Sequence, residues 1–148
     1  MGEPIKDVRW KHRFQNYRRA FGLLREALEG KDIGAYSALE QEGVIQRFEY
    51  TFELGWKTFK DYLEYSGVSL AEATARSVIK ECAAVGIFKN AGIDGSIYLE
   101  MMLARNALSH TYDFERFEGV IAKMKSVYLP ELAKECDFFI EREIKEDA

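Results

Sequence analysis

A chain of 148 residues, 47% hydrophobic and 31% charged, has enough apolar material for one core, and a single helical domain over residues 1–148 is expected. Its net charge of −4 and pI near 5.3 argue against broad, charge-driven nucleic-acid binding. No apolar run approaches the roughly 20 residues of a membrane span, the first residues carry no apolar signal segment, and Cys82 and Cys136 fit neither a disulfide framework nor a zinc site, so a cytoplasmic chain with reduced thiols is expected.

The two prolines, Pro4 and Pro130, leave long stretches open to helix formation. Lys6, Arg9, Lys11, His12, Arg13, Arg18 and Arg19 crowd the first twenty residues; they read as a solvated helix face or as a local basic patch. Trp10, Phe14, Tyr17, Phe21, Leu24 and Leu28 step by four and three and predict a first helix, stopped at Gly30. Ile45, Phe48, Phe52, Gly55, Phe59 and Tyr62 predict a second. Trp56 and Leu63 widen its stripe, and Val44, Tyr50 and Leu54 add apolar groups elsewhere, as in a helix buried on more than one side. Gly55, inside the stripe, either permits close helix approach or is a tolerated loss of helix propensity.

Ser69-Leu70-Ala71-Glu72 reads as a capping box opening a third, shorter helix with Ala75, Val78, Cys82 and Val85 inward, ended by Gly86. Residues 90–95 read as a loop, with Asp94 able to cap a fourth helix whose inward residues are Ile97, Met101, Ala104 and Leu108. Asp113 can cap a fifth, with Phe114, Phe117, Ile121, Met124 and Tyr128 inward; Pro130 should kink or divide it before Leu132, Cys136 and Phe139 resume the stripe. Nothing alternates as a strand does. The fold class is all-α, an antiparallel four- to five-helix up-and-down bundle. At 14% of the residues, the aromatic rings suffice for the core and for an exposed association surface.

The candidate chemistry lies in Arg105-Asn106-Ala107-Leu108-Ser109-His110-Thr111-Tyr112. Arg105 can hold a phosphate, His110 can move a proton near neutral pH, and Tyr112 can donate a hydrogen bond or accept a modification. The plain reading has Arg105 complementing a helix dipole and His110 capping the last carbonyls. In one regular helix Arg105 and His110 would point about 140° apart. Convergence therefore needs the helix to end near Ser109, or two copies of the segment to face each other across a dimer. Asn106 and Ser109 are short polar neighbours, suited to a sugar or phosphate or to backbone bonds at a helix end. Glu49 and Glu53, four apart on the second helix, either orient Arg105 or His110 or form a solvated face. A phosphate-binding Gly-x4-Gly-Lys loop, a metal-binding His-Glu-x-x-His pattern and a Gly-x-Ser-x-Gly elbow are all missing, and no cofactor is expected.

Arg105-x4-His110-x-Tyr112 resembles the motif of HEPN-domain toxins of the HepT type. Together with residues 45–54 and 104–113 it is similar to the branch called nucleotidyltransferase substrate-binding proteins. The resemblance implies a helical homodimer with motif residues of both subunits near one cleft. It also implies an MNT-type nucleotidyltransferase partner and, in HepT-like members, a metal-independent ribonuclease toxin acting on RNA. That partner is the antitoxin, which adds AMP to the motif tyrosine. Carried over, Arg105 stabilises phosphorane charge, His110 acts as general base or acid, and Tyr112 is the modification target. The alternative is a non-catalytic substrate-binding subunit of a two-component nucleotidyltransferase.

Overall fold

A computed structural model describes residues 8–108 and 114–147, and no strand occurs among them. The first helix, α1, spans Arg9–Glu29 and buries the expected stripe together with Ala20. Gly30 follows it with φ −82°, so the stop does not use glycine's left-handed freedom. A single 3-10 turn, Ile33–Ala35, leads to α2 at Ala38–Tyr65. Ser37 and Glu40 close a capping box at the start of α2, the Glu40 N–H donating to Ser37 Oγ at 3.2 Å and the Ser37 N–H to Glu40 Oε1 at 3.0 Å. The helix is buried on more than one side, as its pattern predicts, though Tyr50 stays 40% exposed.

Paired side chains give the helix directions. Arg13 meets Asp61, and Arg47 donates to the Leu23 carbonyl, so α1 and α2 run antiparallel. The last helix, over residues 129–147, runs antiparallel to α1 and parallel to α2: Phe139 packs on Phe14 and on Phe59, while Tyr65 reaches Glu146.

The connection after α2 departs from the sequence reading. The expected capping box at Ser69–Glu72 does not open a helix; α3 spans Ala75–Ala84, and Thr74 caps it by accepting the Ser77 N–H at 3.2 Å. Val68 and Leu70 pack against the core from a non-helical segment, so tertiary burial overrides the local cap signal. Val85 lies outside, 46% exposed, and Ile79 takes the inward position instead. Part of the expected 90–95 loop is helical: α4 spans Ile87–Ala91 between Gly86 and Gly92, whose φ values of 85° and 72° need glycine. Asp94 then opens α5, Gly95–Leu108, by accepting the Ser96 N–H at 2.9 Å.

Of the expected inward set of α5, Met101 is fully buried, and Ile97, Ala104 and Leu108 are half-buried. The helix is turned toward Tyr98, which is fully buried and donates to Glu135 Oε1 at 2.7 Å. Beyond it, α6 spans Phe114–Lys123, the π-helical turn Met124–Tyr128 follows, and α7 spans Leu129–Asp147. Pro130 thus divides the expected fifth helix through a widened turn, in which the Leu129 N–H donates to the Met124 carbonyl. Phe117, Ile121, Met124 and Tyr128 are buried as expected; Asp113 and the Phe114 side chain lie outside the described residues.

At the core, α1, α2, α5 and α7 meet around Gly55. A Cβ there would lie 2.9 Å from Tyr98 Oη, 3.0 Å from Glu135 Oε1 and 3.0 Å from Tyr17 Cε1, so Gly55 permits the close approach that its place in the stripe suggests. The Tyr17 hydroxyl donates to the Leu132 carbonyl at 2.7 Å. Burial pushes the Glu135 carboxyl up to about 8, against the tyrosine hydroxyls that favour its anion. A carboxyl raised on folding stabilises the fold fully below its unfolded value near 4.5, and that contribution is lost as pH rises through about 8. Urea unfolding should therefore show wild type losing about 3 kcal/mol more between pH 5.5 and 8.5 than Glu135→Gln does. Parallel pH profiles for the two proteins would refute a neutral Glu135.

Candidate functional site

The last turn of α5 carries Arg105 and Asn106, and the middle of α2 carries Glu49 and Glu53. Arg105 is half-buried, and its Nη2 lies 2.8 Å from Glu53 Oε2. Asn106 is exposed, its Oδ1 accepting from Arg105 Nη1 at 3.4 Å. Glu53 therefore lies against Arg105, with both side chains partly exposed. Glu49 stands one turn earlier on α2 and is half-buried. Ser109, His110 and Tyr112 lie outside the described residues, and α5 is described through Leu108, the residue before Ser109.

Glu53 does more than hold Arg105. Trp56 Nε1 donates to its Oε2 at 3.1 Å, and Lys57 Nζ lies 3.1 Å from its Oε1. Partial burial alone would raise this carboxyl. The Trp56 and Lys57 hydrogen bonds, with the charges of Arg105 and Lys57, outweigh burial and hold it below the usual carboxylate range. Lys57 Nζ also sits 5.8 Å from the centroid of the Trp56 ring. The sequence reading missed Trp56 and Lys57 as site neighbours; their signal was spacing, three and four residues after Glu53 on one helix.

The result is a guanidinium fixed by a carboxylate that stays ionised, at the C-terminal turn of a helix. A guanidinium held in one orientation is the kind of group that recognises an oxyanion. Exposed apolar surface lies close in sequence on both helices: Tyr50 one turn before Glu53, and Leu103, 51% exposed, two residues before Arg105. Among the described residues, no group of three or more His, Cys, Asp or Glu is placed to hold a metal ion. No described helix is long and apolar enough to cross a membrane.

The Arg105–Glu53 pair is partly exposed on both sides, so its coupling should be modest. A double-mutant cycle with Arg105→Gln and Glu53→Gln, followed by urea unfolding, should give about 0.5–1 kcal/mol. A coupling indistinguishable from zero would mean that Glu53 does not hold the guanidinium in solution.

Comparison with known proteins adds the family. The model of a family described as nucleotidyltransferase substrate binding protein like matches residues 12–139. A crystal structure of a protein from Thermus thermophilus is similar to this chain at 28% identity and a TM-score of 0.65, covering 85% of this chain and 97% of that one. No curated protein matches significantly. The chain belongs to the nucleotidyltransferase substrate-binding-like family, the branch that residues 45–54 and 104–113 resemble.

Proposed function

We propose that this member of the nucleotidyltransferase substrate-binding-like family is a HepT-like, metal-independent ribonuclease toxin, held in check in the cytoplasm by a cognate MNT-type nucleotidyltransferase. The observation behind this reading is the Arg105–Glu53 pair, 2.8 Å across. It fixes a half-buried guanidinium five residues before His110 and seven before Tyr112. In the proposed reaction His110 takes the proton of a ribose 2′-hydroxyl, and the 2′-oxygen attacks the adjacent phosphorus. Arg105 stabilises the phosphorane charge, the P–O5′ bond breaks, and the leaving 5′-oxygen receives a proton from His110 of the same or the facing subunit. The products are a 2′,3′-cyclic phosphate and a 5′-hydroxyl, and no metal-bound water is required. Asn106 and Ser109 assist at the sugar or phosphate, and Glu49 lines the site beside Glu53.

A homodimer completes this reading, because two copies can bring Arg105 of one and His110 of the other to one phosphate. The exposed Tyr50 and Leu103 supply apolar surface for that association. The test is incubation of the purified protein with tRNA and mRNA in EDTA. Wild type should cleave to cyclic-phosphate ends, and Arg105→Ala and His110→Ala should each lose at least a hundredfold in rate. The second reading, favoured by the family's description as substrate-binding, is a non-catalytic subunit. Absence of cleavage combined with tight binding of the nucleotidyltransferase would select it.

The proposal extends to regulation. The nucleotidyltransferase would move AMP from ATP to the Tyr112 oxygen, releasing pyrophosphate. The added phosphodiester would compete with RNA for Arg105, and the adenosine would block the RNA path. Incubation with the partner and ATP should add the mass of one AMP to wild type and none to Tyr112→Phe. An equal mass gain in the variant would remove Tyr112 from this role.

A further inference from the structure

Where α1 ends and α2 begins, the chain folds around a cleft of about 340 Å³. Gly30 and Gly43 both line it, and the backbone demands neither: Gly30 has φ −82°, and Gly43 lies inside α2 without a positive φ. A Cβ at Gly43 would meet no atom within 4 Å. Packing does not require this glycine either, although glycine weakens a helix; what it leaves is open space in the cleft. The charged groups there are of two kinds. Lys31 and Glu40 pair with each other. Arg47 donates from Nη1 to the Leu23 carbonyl at 2.9 Å, and Glu26 lines the same cleft. Among the described residues neither Arg47 nor Glu26 has an ion pair, with the other or with a third group. The Tyr36 hydroxyl is taken by the Ala27 carbonyl at 2.7 Å, so Tyr36, Ala27 and Val44 offer the cleft apolar surface. On α2, Arg47 and Glu53 are the ends of one i, i+3, i+6 row with Tyr50 between them, about 9 Å apart along the axis. The cleft thus lies at one end of a ridge whose other end holds Arg105.

We propose that this cleft reads a guanine base of the RNA, with Arg47 donating to O6 and N7 and Glu26 accepting from N1–H and the 2-amino group. That the base belongs to RNA rests on the nuclease reading; the cleft and its donor and acceptor set do not. The choice of base follows from what the two groups can do. A guanidinium only donates and a carboxylate only accepts, each through a fork of two atoms. Guanine presents two adjacent acceptors and, beside them, two adjacent donor nitrogens. Adenine, cytosine and uracil each carry a single donor nitrogen, so on them the carboxylate fork stays half filled. A lone phosphate would meet Glu26 as a like charge. The apolar walls suit the faces of a flat ring.

The experiment titrates the purified protein with 5′-GMP, 5′-IMP and 5′-AMP by calorimetry, so that binding is read without cleavage. All three carry the same phosphate, and differences between them report the base. GMP should bind at least tenfold more tightly than AMP. IMP, which lacks only the 2-amino group, should fall between them. Glu26→Ala, at an exposed residue, should lose at least tenfold in GMP affinity and bind GMP and IMP equally. Gly43→Leu should fill the cleft and also lose at least tenfold in GMP affinity, while its Tm stays at or above that of wild type, because leucine favours a helix over glycine. Equal affinity for GMP and AMP, undiminished GMP binding by Gly43→Leu, or no binding at millimolar GMP would each overturn the guanine site. GMP bound in the cleft with RNA uncleaved in EDTA would remove the nuclease reading and leave the cleft standing. Cleavage in EDTA with no preference among bases and no GMP binding would do the reverse.

Discussion

The placement of α5 depends on a hydrogen bond in the middle of the core, from the Tyr98 hydroxyl to Glu135 over the bare face of Gly55. α5 has no clean apolar stripe of its own: Tyr98, Met101 and Met102 are buried, yet Leu103 is half exposed. Polar tethers therefore set its position. The Asp94 N–H donates to the buried Glu131 carboxylate, and Glu100 accepts the Tyr128 hydroxyl and pairs with Lys123. Without Gly55 the central tether has no room, since a methyl group would press on Tyr98 and Glu135 together.

This arrangement reaches the site through helix geometry. Tyr98 and Arg105 are seven residues apart, so they return to within about 20° of the same face, about 10 Å along the axis. The face that turns Tyr98 onto Phe52 also turns Arg105 onto Glu53, one residue further along α2. The core thus aims the guanidinium before any ion pair forms, and the pair selects a rotamer rather than a helix position. The cost falls on Glu135. Its Oε2 has no protein hydrogen-bond partner among the described residues, and a buried polar atom left that way is destabilising. An apolar side chain at 135 would avoid that cost but would leave the buried Tyr98 hydroxyl without an acceptor.

The parts of this fold legible in the sequence are those in which burial follows a single period. The α1 stripe from Trp10 to Leu28 and the α2 stripe from Ile45 to Leu63 read directly, because long helices packed on each other keep their apolar residues in register. The short elements did not. Leu70 packs against the core from a non-helical segment that happens to contain a capping-box pattern, and α4 is one turn whose only strong anchor is Phe88 between two left-handed glycines. Within the candidate site, Glu53 was legible because four-residue spacing placed it with Glu49 on one face. Its choice of Arg105 was not, because that pairing joins residues 52 positions apart and is decided by how α5 is turned. The turn is in turn decided by Tyr98, whose hydroxyl gives no periodic signal.

The whole-chain charge misleads about the surface for a related reason. Net charge is summed over the sequence, whereas a bound phosphate senses charges within a screening length of about 8 Å at physiological salt. The first half of α1 holds no carboxylate at all, while α7 carries Glu131, Glu135, Asp137, Glu141, Glu143, Glu146 and Asp147. An acidic pI is therefore compatible with a basic stretch of sequence along α1. On α2, Asp61, Glu64 and Glu53 each meet two cations. They hold long, flexible side chains in fixed positions before a ligand arrives, so less side-chain entropy remains to be lost on binding. Glu53 is the clearest case. With Trp56, Lys57 and Arg105 all directed at it, it stays ionised, spreads one negative charge over three donors and holds the guanidinium in one orientation.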